Sequence, residues 1–144
     1  EEGDEVFFIA ATADIQAVVA ELTAVHDRYN RILIAGGGNI GSTLAESLEE
    51  QYNVKIIEKS HSRCKLLSER LRETIVLEGS ASDPQLLTEE GIESIDVFCA
   101  LTDNDESNIM MSMLAKRLGA RKVITLISNS TYADLIGDEI DIPI

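Results

Sequence analysis

The sequence predicts an α/β domain built on a doubly wound parallel sheet, and three observations support this fold class. Short apolar runs alternate with amphipathic segments at regular spacing along the 144 residues. The apolar runs are continuous, which is typical of strands that are covered on both faces of a parallel sheet. A glycine-rich turn joins one of these runs to an amphipathic helix, as in sheets that bind ligands where the strand order reverses.

Six short apolar runs are predicted to form strands. The first is VFFIA at residues 6–10, and the polar segment HDRYN at 26–30 separates it from the rest. The others are residues 32–35, 54–57, 74–77, 96–101 and 123–127. Repeated strand–helix units imply right-handed crossovers, which place helices on both faces of a single sheet.

Helices are predicted where apolar residues recur every three or four positions. Thr12 is expected to cap the first of them, and Asp83, Pro84 and Gly91 mark the two ends of a shorter one. The apolar stripes comprise Ile15, Val18, Val19 and Leu22; Ile40, Leu44 and Leu48; Cys64, Leu67 and Leu71; and Ile109, Met110, Met113, Leu114 and Leu118. A further helix is predicted to start within residues 131–136, followed by a strand at 141–144.

The composition excludes several classes of partner. The chain has 26 acidic against 12 basic residues and a net charge of −14, whereas binding to nucleic acid requires a basic face. No apolar run approaches the roughly 18 residues of a membrane span, so no direct membrane insertion is expected. The two cysteines, Cys64 and Cys99, lie far apart, which favours a reduced, cytoplasmic setting and no metal site. The sequence lacks an initiator methionine, and we expect it to be a piece of a longer chain.

The glycine-rich turn carries the main functional prediction. Gly36, Gly38 and Gly41 match the pattern G-x-G-x-x-G, between a predicted strand and a predicted helix. In a Rossmann-like nucleotide site the first glycine permits a tight turn, the second lets a diphosphate approach, and the third lets the helix pack on the strand. The helix N-terminus then presents free N–H groups to the phosphates. The alternative is a glycine-rich turn without a ligand.

Glu58 ends the second strand of the main series, 22 residues after Gly36. This is where a carboxylate that binds the adenosine ribose is expected. The alternative is a solvated strand end, since Glu58 is one of 26 acidic residues. Strand position and spacing together favour the ribose role.

Two further turns are predicted to lie on the same rim. Gly79 would permit a close approach to an adenine, and Ser80 could bond a nucleotide, whereas Asp83 is better explained as a helix cap. In the other turn, Thr102 is expected to face the ligand. Residues 103–114 resemble a calcium loop only at their start, so the acidic residues there are better explained by a helix N-terminus.

No catalytic residue is predicted. His26 and His61 have no neighbouring nucleophile or acid in the sequence. Cys99 is interpreted as a buried small hydrophobic residue. Met110, Met111 and Met113 are interpreted as packing residues of the core or of an interface.

Together, these motifs make residues 31–144 similar to the nucleotide-binding lobe of the RCK/KTN family of potassium transport regulators. The resemblance rests on RILIAGGGNIGSTLAESL, VKIIEKS and LEGSASD, together with the T-x-x-D-E-x-N pattern that begins at Thr102. It implies a regulatory subunit that binds NAD(H), or else ADP or ATP, and that controls a potassium-translocating membrane subunit from the cytoplasmic face. It also implies self-association as a dimer or tetramer, with apolar residues near the C-terminal end of the sequence in the contact.

The resemblance also implies individual roles and a division of the chain. It assigns ligand binding to Gly36, Gly38, Asn39, Ile40, Gly41, Glu58, Gly79 and Thr102, and the predicted binding residues also include Gly37, Lys59 and Ser80. Ser80 and Leu126 depart from the family, which often has an acidic residue and a phosphate-binding arginine at these places; Lys59 and Arg63 are cations that could compensate. Residues 1–28 resemble the tail of a preceding regulatory module, and residues 29–144 are the binding domain, expected to be truncated at its C-terminal end.

The alternative function is a fragment of an NAD-dependent oxidoreductase. Such an enzyme needs further residues that hold the substrate and move a proton. No His, Lys or Tyr constellation of this kind is found near the predicted rim, and the preceding module tail favours a regulatory protein.

Overall fold

The computed structural model describes residues 6–9, 30–129 and 131–132, and its elements follow the predicted alternation. The strands are β1 (Val6–Ile9), β2 (Arg31–Ala35), β3 (Asn53–Glu58), β4 (Ile75–Glu78), β5 (Val97–Ala100) and β6 (Lys122–Leu126). The helices are α1 (Asn39–Leu48), α2 (His61–Arg70), α3 (Pro84–Glu89) and α4 (Asp105–Leu118), with a short 3-10 helix at Ile92–Ser94. The predicted helix after Thr12, most of the predicted helix at 131–136 and the strand at 141–144 lie outside the described residues.

All six strands pair in parallel, in the order β1-β6-β5-β2-β3-β4. From β2 the chain moves outward through β3 to β4, then crosses back to β5 on the other side of β2. The strand order therefore reverses between β2 and β5. This arrangement confirms the predicted doubly wound, Rossmann-like sheet, and ligands bind such sheets at the carboxyl ends of the strands beside the reversal.

Strand β1 lies at one edge of the sheet. It pairs with β6, so that Val6 is opposite Val123 and Ile9 is opposite Leu126. The strand that the sequence assigns to a preceding module is thus hydrogen bonded to the sheet of the binding domain. The predicted boundary between residues 28 and 29 remains a prediction.

Two apolar layers, one on each face of the sheet, form the core. In β2, Ile32 and Ile34 belong to one layer, while Leu33 and Ala35 belong to the other. All four residues are buried. A strand with both faces covered needs an apolar residue at every position, which explains the continuous runs in the sequence.

Two residues of the predicted apolar stripe of helix α4 are exposed. Met110 and Met113 were placed in its apolar stripe, but they are 64% and 45% exposed. The buried positions are Asn108, Met111, Ser112 and Ala115. The other members of the predicted stripe, Ile109, Leu114 and Leu118, pack against the core. The inward face also includes polar residues, which apolar periodicity does not reveal and which are hydrogen bonded. No helix in the described part of the chain is long and apolar enough to cross a membrane.

Candidate nucleotide-binding site

A cleft of about 760 Å³ lies at the carboxyl ends of the strands, at the point where the strand order reverses. Its volume is within the usual range of small-molecule sites. Most of the predicted binding residues line it, namely Gly36, Gly37, Gly38, Asn39, Ile40, Glu58, Lys59, Gly79 and Thr102. Gly41 and Ser80 do not contribute to its lining.

Gly36 makes the tight turn that follows β2. Its φ of +108° is one that residues with a side chain rarely adopt. Its N–H donates to the carbonyl of Ile57 at 2.9 Å, and a Cβ at Gly36 would lie 2.9 Å from the Thr102 Cγ2 atom. The turn is therefore packed between the ends of β3 and β5.

Two other glycines provide close packing. A Cβ at Gly41 would collide with the carbonyl oxygen of Gly36, and it would lie 3.4 Å from Ile34 Cγ2. A Cβ at Gly37 would collide with Leu67 Cδ1. Gly41 thus lets α1 approach the turn and β2, which is the role predicted for the third glycine.

Gly38 is different, because its free face opens on the cleft. It is the N-cap residue of α1, and its φ of −75° suits any residue. A Cβ at Gly38 would have only Arg63 Nη1 within 4 Å, at 3.7 Å. The N–H groups of the first turn of a helix have no partner within the helix, so this face can accept an anion.

Glu58 is buried, which excludes the interpretation as a solvated strand end. The residue is 8% exposed. Its Oε1 accepts the N–H of Gly37 at 2.7 Å, and its Oε2 accepts the N–H of Ser60 at 2.8 Å. A carboxylate offers about four lone-pair positions, so capacity remains for other donors. The side chain links the end of β3 to the glycine turn.

The turn after β4 lies beside Glu58. The N–H of Gly79 donates to the Glu58 carbonyl at 3.0 Å, and a Cβ at Gly79 would lie 2.8 Å from Leu86 Cδ2. Ser80 shares a hydrogen bond of 2.6 Å with Ser82. Asp83 accepts the N–H of Gln85 at 3.0 Å and caps α3, as predicted.

Thr102 is held by Asn108, a residue whose structural role was not predicted from the sequence. Asn108 is fully buried. Its Oδ1 accepts the N–H and the hydroxyl of Thr102, at 3.0 and 2.6 Å. Its Nδ2 donates to the carbonyls of Thr102 and Leu126, at 3.0 and 2.9 Å. In the sequence, this role of Asn108 is indicated only by its place as the asparagine of the T-x-x-D-E-x-N pattern.

The start of α4 uses its polar residues as helix and loop caps. Asn104 accepts the N–H of Ser107 at 2.7 Å, and Asp105 accepts the N–H of Ser128 and of Asn129, at 3.0 and 2.8 Å. These bonds support the helix-terminus interpretation of the acidic segment. In the described ranges, no group of three or more His, Cys, Asp or Glu residues could hold a metal ion.

Charged residues of both signs line the cleft, and the cations outnumber the anions. They are Lys59, Arg63 and Arg70 against Glu58 and Asp103. Arg70, which was not among the residues predicted from the sequence, donates to Ser42 Oγ at 2.9 Å and to Glu46 at 2.7 Å. In the sequence, a place for Arg70 in the cleft is indicated only by its position two helical turns after Arg63. Leu126 gives the cleft a buried apolar wall.

The parallel sheet, its glycine turn and the cleft at the strand reversal define a Rossmann-like domain. The family model of the TrkA-N domain matches residues 32–142. The chain belongs to the TrkA-N domain family, which confirms the resemblance found in the sequence.

Three relatives share the name Trk system potassium uptake protein TrkA. The chain is 59% identical to the protein of Halomonas elongata, 52% to that of Vibrio alginolyticus and 48% to that of Haemophilus influenzae. Each comparison covers 100% of this chain and 32% of the relative, so the chain spans about a third of their length. These are names of potassium uptake proteins and not of enzymes, which supports the prediction that the chain is not an enzyme.

A solved structure described as the GsuK channel bound to NAD has a similar fold. The TM-score is 0.65 at 17% sequence identity, and the similarity covers 86% of this chain and 26% of the other. At this level of identity the comparison establishes a common fold.

Proposed function

We propose that this chain is a nucleotide-binding regulatory part of a potassium uptake system. The names of the relatives support the potassium uptake role. The observation that carries the binding role is the open face of Gly38 at the start of α1, within a cleft lined by Glu58 and three cations. A helix N-terminus in such a cleft binds phosphate.

The ligand is an adenine nucleotide, and NAD(H) fits the cleft better than ADP or ATP. The cleft extends to both sides of the glycine turn, toward Gly79 and Ala81 on one side and toward Thr102 and Ser128 on the other. Dinucleotides bind across a strand reversal in this way. Glu58 accepts the ribose hydroxyls, and the turn from Gly36 to Gly41 holds the diphosphate.

The regulatory role follows from coupling between sites. Nucleotide binding favours one relative orientation of such domains in a dimer or tetramer, and a potassium-translocating membrane subunit responds from the cytoplasmic side. Allosteric coupling free energies of about 1–3 kcal/mol change affinities by about 5- to 150-fold. The chain is then the second binding lobe of a longer subunit.

Titration calorimetry with NADH, NAD, ADP, ATP and NADPH tests the binding role. We expect NADH to bind, and we expect Gly38→Ala to weaken it by about tenfold or more, since a Cβ would displace charge-assisted hydrogen bonds to phosphate. This variant should lose no more than about 1 kcal/mol of stability, since its backbone angles suit alanine although alanine is a poorer N-cap than glycine.

Gly91→Ala is the matched control. Gly91 has a φ of +76° and no atom within 4 Å of an added Cβ, and it lies outside the residues that line the cleft. The substitution should cost about 1–2 kcal/mol of stability through backbone strain and leave the NADH affinity intact. If the wild-type chain binds none of the five nucleotides, or if Gly38→Ala binds NADH normally, the proposed site is wrong.

A further inference from the structure

We propose that Arg63 is the residue that binds the nucleotide phosphate opposite the glycine turn. This inference deepens the proposed function and rests on it. It assigns to one side chain a contact that backbone N–H groups alone would otherwise make.

The geometry places Arg63 at the phosphate position. Ser60 caps α2 by accepting the N–H of Arg63 at 3.2 Å, which puts Arg63 in the first turn of the helix, at the cleft. Its Nη1 atom lies 3.7 Å from the point that a Cβ at Gly38 would occupy. A phosphate that contacts the backbone at Gly38 would therefore lie within reach of the guanidinium group.

The charge distribution supports the same role. Within the part of the chain that the structure describes, the guanidinium of Arg63 forms no ion pair, whereas Arg70 is bonded to Glu46 at 2.7 Å. Glu58 places a buried carboxylate 2.7 Å from the N–H of Gly37, in the same turn. A phosphate bound there would be repelled by Glu58, and the cation at position 63 offsets this repulsion.

Guanidinium chemistry suits the task. Arginine stays charged at all relevant pH values and can form two parallel hydrogen bonds with phosphate oxygens. The first turn of α1 would donate from one side of the phosphate and Arg63 from the other. The recognised chemistry is therefore the diphosphate, and neither the base nor the sugar.

The experiment compares ADP with adenosine, which lacks phosphate. We expect Arg63→Gln to weaken ADP and NADH by about tenfold or more, with adenosine affinity unchanged. The dependence of log Kd for ADP on log salt concentration should also become shallower, because one phosphate contact is lost. Lys65→Gln is the matched control, since Lys65 is an exposed cation of the same helix that does not line the cleft.

The outcomes separate the two claims. A wild-type chain that binds neither NADH nor ADP overturns the proposed function, and this inference with it. A wild-type chain that binds both, with an Arg63→Gln variant that binds ADP equally well, overturns this inference alone. An equal loss of affinity for adenosine and ADP would place Arg63 at the base. An equal effect of Lys65→Gln on ADP affinity would show that only the net charge of the protein matters. Either outcome contradicts the proposal.

Discussion

Glu58 has a structural role in the fold, and the proposed ribose contact would use the same side chain. Its two oxygens accept the N–H groups of Gly37 and Ser60, so it holds the glycine turn against β3. The carboxylate also lines the cleft and has capacity for further donors, such as the hydroxyls of the proposed ribose. The sequence predicted the second role, while the first emerged only from the fold.

Replacing Glu58 with glutamine should reduce both stability and nucleotide discrimination. Glutamine has one acceptor oxygen, so one of the two N–H groups would face an amide nitrogen, at a cost of about 1–3 kcal/mol. A solvated strand end, the alternative considered for Glu58, would have left stability unchanged. Urea denaturation measures the change, and Glu69→Gln, an exposed position on α2, should have little effect.

The same variant tests the ribose contact. A 2′-phosphate near the carboxylate would be repelled by about 4 kcal/mol at 4 Å and an effective dielectric constant near 20. Because Lys59 and Arg63 also line the cleft, we expect a net preference for NADH over NADPH of about 5- to 150-fold. Glu58→Gln should diminish this ratio. If wild type binds NADH and NADPH with nearly equal affinity, the role of Glu58 is purely structural.

Among the secondary-structure elements, α1 is joined to the segment before β4 by Glu49. This buried carboxylate accepts the N–H groups of Arg72, Glu73 and Thr74, at 3.2, 2.9 and 2.9 Å, and the hydroxyl of Thr74 at 2.8 Å. Burial alone would raise the pKa of Glu49, but these hydrogen bonds outweigh it and the pKa is lowered from its ordinary value of 4.5. The interaction fastens the C-terminal end of α1 to the sheet edge.

The contribution of Glu49 to stability should depend on pH. Because its pKa is lowered in the folded state, the contribution is fully present above pH 4.5 and is lost as the pH falls below 4.5 through the folded-state pKa. Glu49→Gln should therefore cost about 1–3 kcal/mol at pH 7 and much less near pH 3. Urea denaturation at both pH values gives the difference between wild type and variant.

Glu50→Gln is the control, since its side chain is 79% exposed and lies 3.7 Å from Arg72. It should change stability by less than about 1 kcal/mol at either pH. An effect of Glu49→Gln that is equal at pH 7 and pH 3 would contradict the assignment.

Across the domain as a whole, Cys99 reports on global unfolding. It lies in β5 at the centre of the sheet, it is fully buried, and burial raises the pKa of its thiol to about 12. Cys64 lies in α2, and its Sγ donates to the Glu58 carbonyl at 3.3 Å. A central strand opens only with the whole fold, whereas a surface helix can open locally.

We therefore expect a thiol reagent to label Cys99 more slowly than Cys64. NADH at 100 times its Kd should slow the labelling of Cys99 by about 100-fold, because it stabilises the folded state by about 2.7 kcal/mol. Mass spectrometry of the labelled peptides distinguishes the two cysteines. Rapid labelling of Cys99 in the absence of denaturant would show that the sheet opens without global unfolding.

The sequence predicted most of the fold because its signals are local. Strands buried on both faces leave continuous apolar runs, as at residues 32–35 and 54–57, and the bounds were correct to within a residue or two. Gly36 and Gly41 could be assigned because a left-handed turn and a close helix contact each exclude a side chain. In helix α4 the predicted stripe was wrong only at Met110 and Met113, because Asn108 and Ser112 occupy buried positions through hydrogen bonds to distant segments.

Local periodicity and the steric freedom of glycine were thus sufficient to locate the strands, the helices and the turn that faces the cleft along the chain. The tertiary structure established that Glu58 is buried against Gly37, that Arg63 lies over Gly38, and that β1 pairs with β6. Each of these features joins segments that are separate in the chain. Their positions depend on packing and on hydrogen bonds that compensate for burial, and neither can be deduced from the spacing of residues in the sequence.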